Sequence, residues 1–71
     1  MKLTFDPRAD AMYFELRPLK VASTRQVGEG IYLDFDEEGE LRGIEMLYVS
    51  LRAPDVAKGH LEIRLPITAE T

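Results

Sequence analysis

Apolar and polar residues alternate along much of this chain, with the period of two that is typical of β-strands. The clearest run covers residues 31–36, and its apolar members are Ile31, Leu33 and Phe35. A second run covers residues 11–17, and its large apolar members are Met12, Phe14 and Leu16. In both runs one strand face is apolar and the other carries polar or tyrosine side chains, which predicts a sheet with one buried face.

Two antiparallel hairpins are predicted from these runs. Residues 2–17 form the first, with a turn at residues 6–10, where proline favours the second position of a type I turn. Residues 31–48 form the second, with a turn at residues 36–39, because glycine commonly closes a short hairpin loop at positive φ. In the returning strand the apolar positions change from odd to even numbers around Gly43, which predicts a β-bulge there.

The rest of the chain is less regular until its end. Residues 18–26 are mixed in polarity and are interpreted as a connection that includes, at most, a short extended piece. Residues 50–58 have spacing near that of a helix, but Pro54 limits any helix to a short one. Residues 61–67 alternate again and predict a last strand, at a sheet edge because Pro66 cannot donate a ladder hydrogen bond. The predicted fold is α+β, mainly β: a small antiparallel sheet of about five strands with one short helix or turn near residues 50–58.

The chain length of 71 residues accommodates a single domain, residues 1–71. A domain of this size buries only about 60% of its unfolded surface and usually gains support from disulfides, a metal or self-association. The chain has no cysteine and one histidine, so self-association is the simplest support and we expect a homodimer. The sequence contains no apolar run typical of a signal peptide or a membrane span, and the expected location is cytoplasmic.

Acidic residues are concentrated in the middle of the chain. The formal net charge is -4 in total; it is +2 over residues 1–27, -6 over residues 28–48 and zero over residues 49–71. Phosphate groups require clustered lysine and arginine, so we expect neither nucleic acid nor a membrane as partner. A basic protein or a hard cation suits this segment better.

A divalent cation is one hypothesis for the acidic hairpin. The spacing resembles a calcium-binding loop, with glycine at the sixth position and an acidic residue at the twelfth. However, the alternation over residues 31–36 predicts a strand where a calcium loop requires a flanking helix. A weak cation-binding module is therefore kept as an alternative, and its candidate ligands are Asp34, Asp36, Glu38 and Glu45.

The sequence contains no arrangement of residues that predicts catalysis. Asp34 and Asp36 share one strand face, but paired carboxylates need different environments to act as acid and base. His60 has neither a second histidine nor a cysteine to complete a site. We expect no enzymatic activity and no cofactor, and a small hydrolase with a site at a dimer interface is kept as an alternative.

Tyrosines on the predicted outer face of the sheet are the best indication of function. Tyr13 and Tyr32 fall opposite the predicted core, and tyrosine offers a large contact area at low entropic cost. The alternative is that the two side chains pair across an open sheet. We interpret the chain as a non-enzymatic protein that acts through protein–protein contact. The candidate interaction residues are Tyr13, Tyr32, Asp36, Glu37 and Glu38.

Four sequence blocks resemble a known family. They are F-D-P-R-A-D-A-M-Y at residues 5–13, V-G-E-G-I at 27–31, L-D-F-D-E-E-G at 33–39 and G-I-E-M-L at 43–47. In this order they resemble the small bacterial and archaeal proteins grouped as domain-of-unknown-function family 2283, over residues 1–52. The resemblance implies a compact β-rich fold with no established activity. Some relatives are encoded beside predicted toxins, which implies an antitoxin-like role toward a basic toxin.

Overall fold

A computed structural model of the chain describes residues 1–67. It contains one five-stranded sheet and two short helices. The strands are β1 (Lys2–Asp6), β2 (Ala11–Glu15), β3 (Ser23–Gly28), β4 (Ile31–Phe35) and β5 (Leu41–Leu47). Their order across the sheet is β1-β2-β5-β4-β3, and all neighbours are antiparallel. The predicted fold class, α+β and mainly β, is confirmed.

Both predicted hairpins form. In the first, strands β1 and β2 pair with Leu3 opposite Phe14, and the Asp6 carboxylate closes the turn by accepting the Arg8 amide at 2.9 Å. In the second, strands β4 and β5 are joined by a loop in which Gly39 has a φ of 81°. This left-handed backbone suits glycine, as the turn chemistry predicted.

The predicted bulge near Gly43 is confirmed and has a defined position. Leu41 pairs with Phe35 and Gly43 pairs with Asp34, so Arg42 is the extra residue on strand β5. The amides of Leu16 and Arg17 both donate to the Arg42 carbonyl. The extra residue returns Leu41 to the same sheet face as the apolar residues that follow Gly43.

The prediction that residues 18–26 are a connection with at most a short extended piece is wrong in part, because Ser23–Gly28 is the six-residue strand β3. This strand pairs with β4 along its length, with one irregularity between Gln26 and Gly28. All six of its side chains are exposed. An edge strand that buries neither face needs no alternation of apolar and polar residues, so the sequence pattern did not reveal it.

The predicted last strand over residues 61–67 is also wrong, because these residues belong to no strand of the sheet. The sheet still has five strands, because β3 takes the place of this predicted strand in the count. The four large side chains that should have been buried there are all exposed: Leu61 by 54%, Ile63 by 65%, Leu65 by 72% and Ile67 by 78%. Within residues 1–67, the alternation in this segment is therefore not accompanied by burial of its apolar side chains.

Two helices of one turn each replace the predicted single short helix. They are α1 (Val49–Arg52) and α2 (Pro54–Ala57). Pro54 is the first residue of α2, where a missing amide hydrogen has no cost because the first amides of a helix have no partner within the helix. Among the helices of residues 1–67, none is long and apolar enough to cross a membrane.

Helix α1 is held at one end of the sheet by Asp10. The two carboxylate oxygens of Asp10 accept the Ser50 amide at 2.9 Å and the Ser50 hydroxyl at 2.6 Å. The Asp10 carbonyl accepts the Val49 amide at 3.1 Å. Val49 has no exposed surface, so this contact seals the end of the sheet.

Within residues 1–67, one face of the sheet is apolar but is not covered by a second layer. Ten large apolar side chains lie on this face, which we call the apolar face, and every one of them is only half-buried. They are Leu3, Phe5, Met12, Phe14, Ile31, Leu33, Phe35, Leu41, Ile44 and Met46. Domains are normally built from at least two packed layers. Here the chain measures 36 × 33 × 19 Å, and helices α1 and α2 pack chiefly against each other.

Candidate functional site

The opposite face of the sheet, which we call the outer face, carries a network of polar side chains. The Tyr13 hydroxyl donates to one carboxylate oxygen of Asp34 at 2.7 Å. The Thr24 hydroxyl donates to the other at 2.6 Å. Because Tyr13 is on β2, Asp34 on β4 and Thr24 on β3, these two bonds join strands across most of the sheet.

Gly43 makes this reach possible. Gly43 lies on β5, between the strands of Tyr13 and Asp34, and the Tyr13 ring passes directly over it. A β-carbon on Gly43 would lie 2.5 Å from Cζ of Tyr13 and 2.8 Å from Cε2. Such distances are shorter than van der Waals contact, so any side chain at position 43 would displace the tyrosine.

The bulge supplies the third member of the network. Arg42 donates to the Tyr13 hydroxyl at 2.9 Å and pairs with Glu15 at 3.1 Å. It also donates to the Leu19 carbonyl at 2.6 Å, which ties down the chain before β3. Its guanidinium lies 5.4 Å from the centre of the Tyr13 ring, within range of a cation–π interaction.

The electrostatics of the network keep Tyr13 protonated. Burial raises the pKa of Tyr13 above its ordinary value of 10.0, and the hydrogen bond to Asp34 raises it further, while the bond from Arg42 opposes them. The pKa of Arg42 is also raised, chiefly by its bond to Tyr13. A tyrosine of this kind donates a hydrogen bond and is not activated as a phenolate nucleophile. The geometry therefore suits stabilisation of the sheet.

The predicted interaction residues are not all available on the surface. Tyr13 and Tyr32 lie on the outer face as predicted, and both are half-buried. Asp36 is only 7% exposed, which corrects the expectation of an exposed carboxylate. The reason is local, because its Oδ1 accepts the amides of Glu38 at 2.9 Å and Glu40 at 3.0 Å and so closes the hairpin loop.

Glu37 and Glu38 do remain exposed at the tip of this loop. They border a surface that also includes Arg17 and Lys20 from the segment after β2. The acidic tip therefore lies beside basic side chains, and the net charge around it is less negative than the sequence of residues 28–48 alone indicated.

The candidate cation ligands do not converge on one point. Asp34 is bonded to Tyr13 and Thr24 on the outer face, and Asp36 is bonded to its own loop. Within residues 1–67, no group of three or more histidine, cysteine, aspartate or glutamate side chains is placed to hold a metal ion. Strand geometry separates carboxylates that a calcium loop would fold around the ion.

Comparison with known proteins identifies the family. Residues 2–50 match the model of the family described as "Protein of unknown function (DUF2283)". The chain belongs to the DUF2283 family. No curated protein and no solved structure matches the chain. The matched range of this DUF2283 protein covers all five strands and ends inside helix α1, so residues 51–71 lie outside it.

Several residues of the four sequence blocks have structural roles at the two ends of the sheet in this DUF2283 protein. At the end that holds α1, Asp10 accepts the amides of Val49 and Ser50, and Gly30 lies against the ring of Tyr48, which follows the last block. Gly30 has a φ of 71°, and a β-carbon there would lie 3.0 Å from the Tyr48 ring. The backbone of Tyr48 itself has the left-handed conformation, with a φ of 60°. At the other end, Asp36 and Gly39 close the hairpin loop.

Sequence reasoning missed three residues of the outer-face network in this DUF2283 protein: Thr24, Arg42 and Glu15. Thr24 was hidden because its strand was not recognised. Arg42 and Glu15 come together only through the register that the bulge creates. The change of parity at Gly43 was the available signal, since two consecutive outer-face positions are what a bulge provides.

Proposed function

We propose that this protein is non-enzymatic and acts through protein–protein contact, with the apolar face as its contact surface and a second copy of the chain as the first partner. The observation that carries the proposal is that all ten large side chains of the apolar face are only half-buried. A sheet covered on one face normally buries them. A second copy supplies the missing layer by packing its own apolar face against the first.

The exposed area has the size that such a dimer requires. The chain exposes 5719 Å², whereas a compact monomer of this mass exposes about 4,500 Å². The excess of about 1,200 Å² exceeds the roughly 800 Å² that each partner buries in a standard interface. The radius of gyration, 13.9 Å, is likewise larger than the roughly 11 Å of a compact 71-residue domain. Part of this excess comes from residues 60–67, which are all exposed. Twofold packing of identical faces would remove from both copies the part that belongs to the apolar face.

The proposal is tested by measuring which face is shielded from solvent. In methyl NMR with a soluble paramagnetic probe, we expect Ile44 and Leu33 to be protected at high protein concentration and to lose protection on dilution. The methyl groups of Thr4 and Thr24, on the outer face, serve as the control and should be equally accessible throughout. Strong relaxation of Ile44 and Leu33 at every concentration would contradict the proposal.

We further propose a basic protein as a second partner, which corresponds to the antitoxin-like role that the family resemblance implies. Glu37, Glu38 and Glu40 are exposed around the hairpin tip, at one end of the sheet and in none of the ten positions of the apolar face. Charges at the rim of an interface chiefly accelerate association. This proposal is supported by the charge pattern, and it is independent of the dimer.

The basic partner is tested with the product of a neighbouring toxin-like gene as the probe. We expect Glu37→Gln combined with Glu38→Gln to weaken binding about threefold to tenfold at low salt, with less effect at moderate salt, because exposed charges are screened. Glu29→Gln, at the opposite end of the sheet, is the control, and its effect is compared with that of Glu37→Gln alone, which changes the charge by the same amount. Equal weakening by the control, or the absence of any such gene beside this one, would remove the proposal.

A further inference from the structure

The chain beyond helix α2, residues 60–67, is here called the C-terminal arm. The backbone of the arm has few hydrogen-bond partners among residues 1–67. Of its amides, that of His60 donates to the Asp55 carbonyl and that of Ile67 donates to the Leu65 carbonyl. Its four large apolar side chains, at alternate positions, are all exposed by more than half. Alternation of this kind is typical of a strand with one buried face. The arm therefore has the pattern of a buried strand in an unburied position.

The arm is continuous with the apolar face. Its first apolar residues, Leu61 and Ile63, line an open groove of about 400 Å³ together with Leu3, Phe5, Met12 and Val56. The groove runs along edge strand β1, and the apolar side chains of that edge are Leu3 and Phe5. The arm of the same chain borders this groove but does not fill it, because Leu61 and Ile63 stay more than half exposed.

The polar side of the arm is consistent with one buried face. Glu62 and Arg64 form an ion pair with each other, and both lie at positions between the apolar residues. In an extended conformation residues 61–67 span about 23 Å. This length is close to the width of a five-stranded sheet, about 19 Å between its outer strands, so the arm can cross a neighbouring sheet.

We propose that the C-terminal arm is an exchange arm: in the dimer each arm crosses to the other copy and packs Leu65 and Ile67 against its apolar face at the β1 groove. This inference rests on the proposed dimer and adds a second contact to it. An exposed apolar segment with the pattern of a strand otherwise favours aggregation. Exchange between two copies buries the apolar side chains of both arms. The arm lies outside the matched family range, residues 2–50.

The first test compares two variants of equal charge change on the full chain. Leu65→Asp removes an apolar contact and Arg64→Gln removes a charge on the polar side of the arm, so both change the net charge by -1. We expect Leu65→Asp to raise the dimer Kd at least tenfold, since tenfold corresponds to about 1.4 kcal/mol and burial of one leucine stabilises by more than that. Arg64→Gln should leave Kd within about threefold of the original.

The second test detects the exchange directly. In a dimer made from one isotope-labelled and one unlabelled copy, filtered NOE spectra record only contacts between copies. We expect such contacts between the methyl groups of Leu65 or Ile67 and the Phe5 ring. If the chain dimerises but the arm shows contacts only within its own copy, and Leu65→Asp does not change Kd, the arm inference is wrong while the dimer stands. If the wild-type chain is a monomer at all concentrations, both proposals fail.

Discussion

Gly43→Ala lowers the free energy of unfolding by about 2–4 kcal/mol, in our expectation, although it adds a single methyl group. The backbone at Gly43 is not in the left-handed region, so alanine can adopt it without strain. The cost arises because the new methyl would overlap the ring of Tyr13, which must move and give up its bonds to Asp34 and Arg42. Urea denaturation measures the loss.

Gly28→Ala is the matched control for this prediction. A β-carbon at Gly28 would meet only the Ile31 side chain, at 3.8 Å, which is ordinary contact. We expect its effect to be neutral or stabilising by up to about 1 kcal/mol, because alanine reduces the freedom of the unfolded chain. In a Tyr13→Ala background the penalty of Gly43→Ala should disappear, since the three atoms nearest to the new β-carbon all belong to Tyr13. An equal penalty with and without Tyr13 would contradict the overlap.

Ile44→Asp should convert the dimer into a folded monomer. Ile44 lies on the middle strand of the sheet, opposite both Phe14 and Leu33, so it marks the centre of the apolar face. In a twofold dimer the change places two unpaired carboxylates in the interface and removes two buried isoleucines. We expect Kd to rise at least about a hundredfold, measured by sedimentation, with circular dichroism to confirm that the sheet is retained.

Tyr32→Asp is the control that separates the two faces of the sheet. It also exchanges a large half-buried side chain for a carboxylate, but on the outer face, opposite Glu45. If the apolar face is the interface, Tyr32→Asp leaves the dimer intact and lowers only the stability of each subunit. Dissociation by Tyr32→Asp with a dimer retained in Ile44→Asp would instead make the tyrosine face the interface.

The two hairpins and the bulge were predictable because they are local. Alternation identifies a strand that has one apolar face, and the turn residues between two such strands determine how they pair. At the bulge, the change from odd to even apolar positions after Leu41 has one simple structural solution, an extra residue. The position of that residue, Arg42, was within one residue of the prediction.

Strand β3 and residues 61–67 were not predictable, for opposite physical reasons. Strand β3 buries no side chain, so its pairing with β4 depends on backbone hydrogen bonds that leave no pattern in the sequence. Residues 61–67 show a strong alternation of apolar and polar residues. Such alternation predicts that one face of the segment is buried, but it does not identify the surface that buries it. Within residues 1–67 no surface buries these side chains, and the segment belongs to no strand.

The outer-face network was beyond sequence reasoning because it depends on register. The sequence predicted that Tyr13 lies on the outer face of the sheet. Its hydrogen bond to Asp34, however, requires strand β5 to lie between the two residues, with Gly43 at the point where the tyrosine ring crosses that strand. Once assembled, the network ties four strands together on one side of a single-layer sheet. That gives the sheet a means of keeping its shape while its apolar face is only half-buried.

Sedimentation equilibrium of the wild-type chain over a wide concentration range tests the central claim most directly. The chain mass is 8.1 kDa, and a face-to-face dimer predicts about 16 kDa at high concentration, with a decrease toward the chain mass on dilution. A constant mass of 8.1 kDa at the highest concentration would contradict the claim that a second copy covers the apolar face.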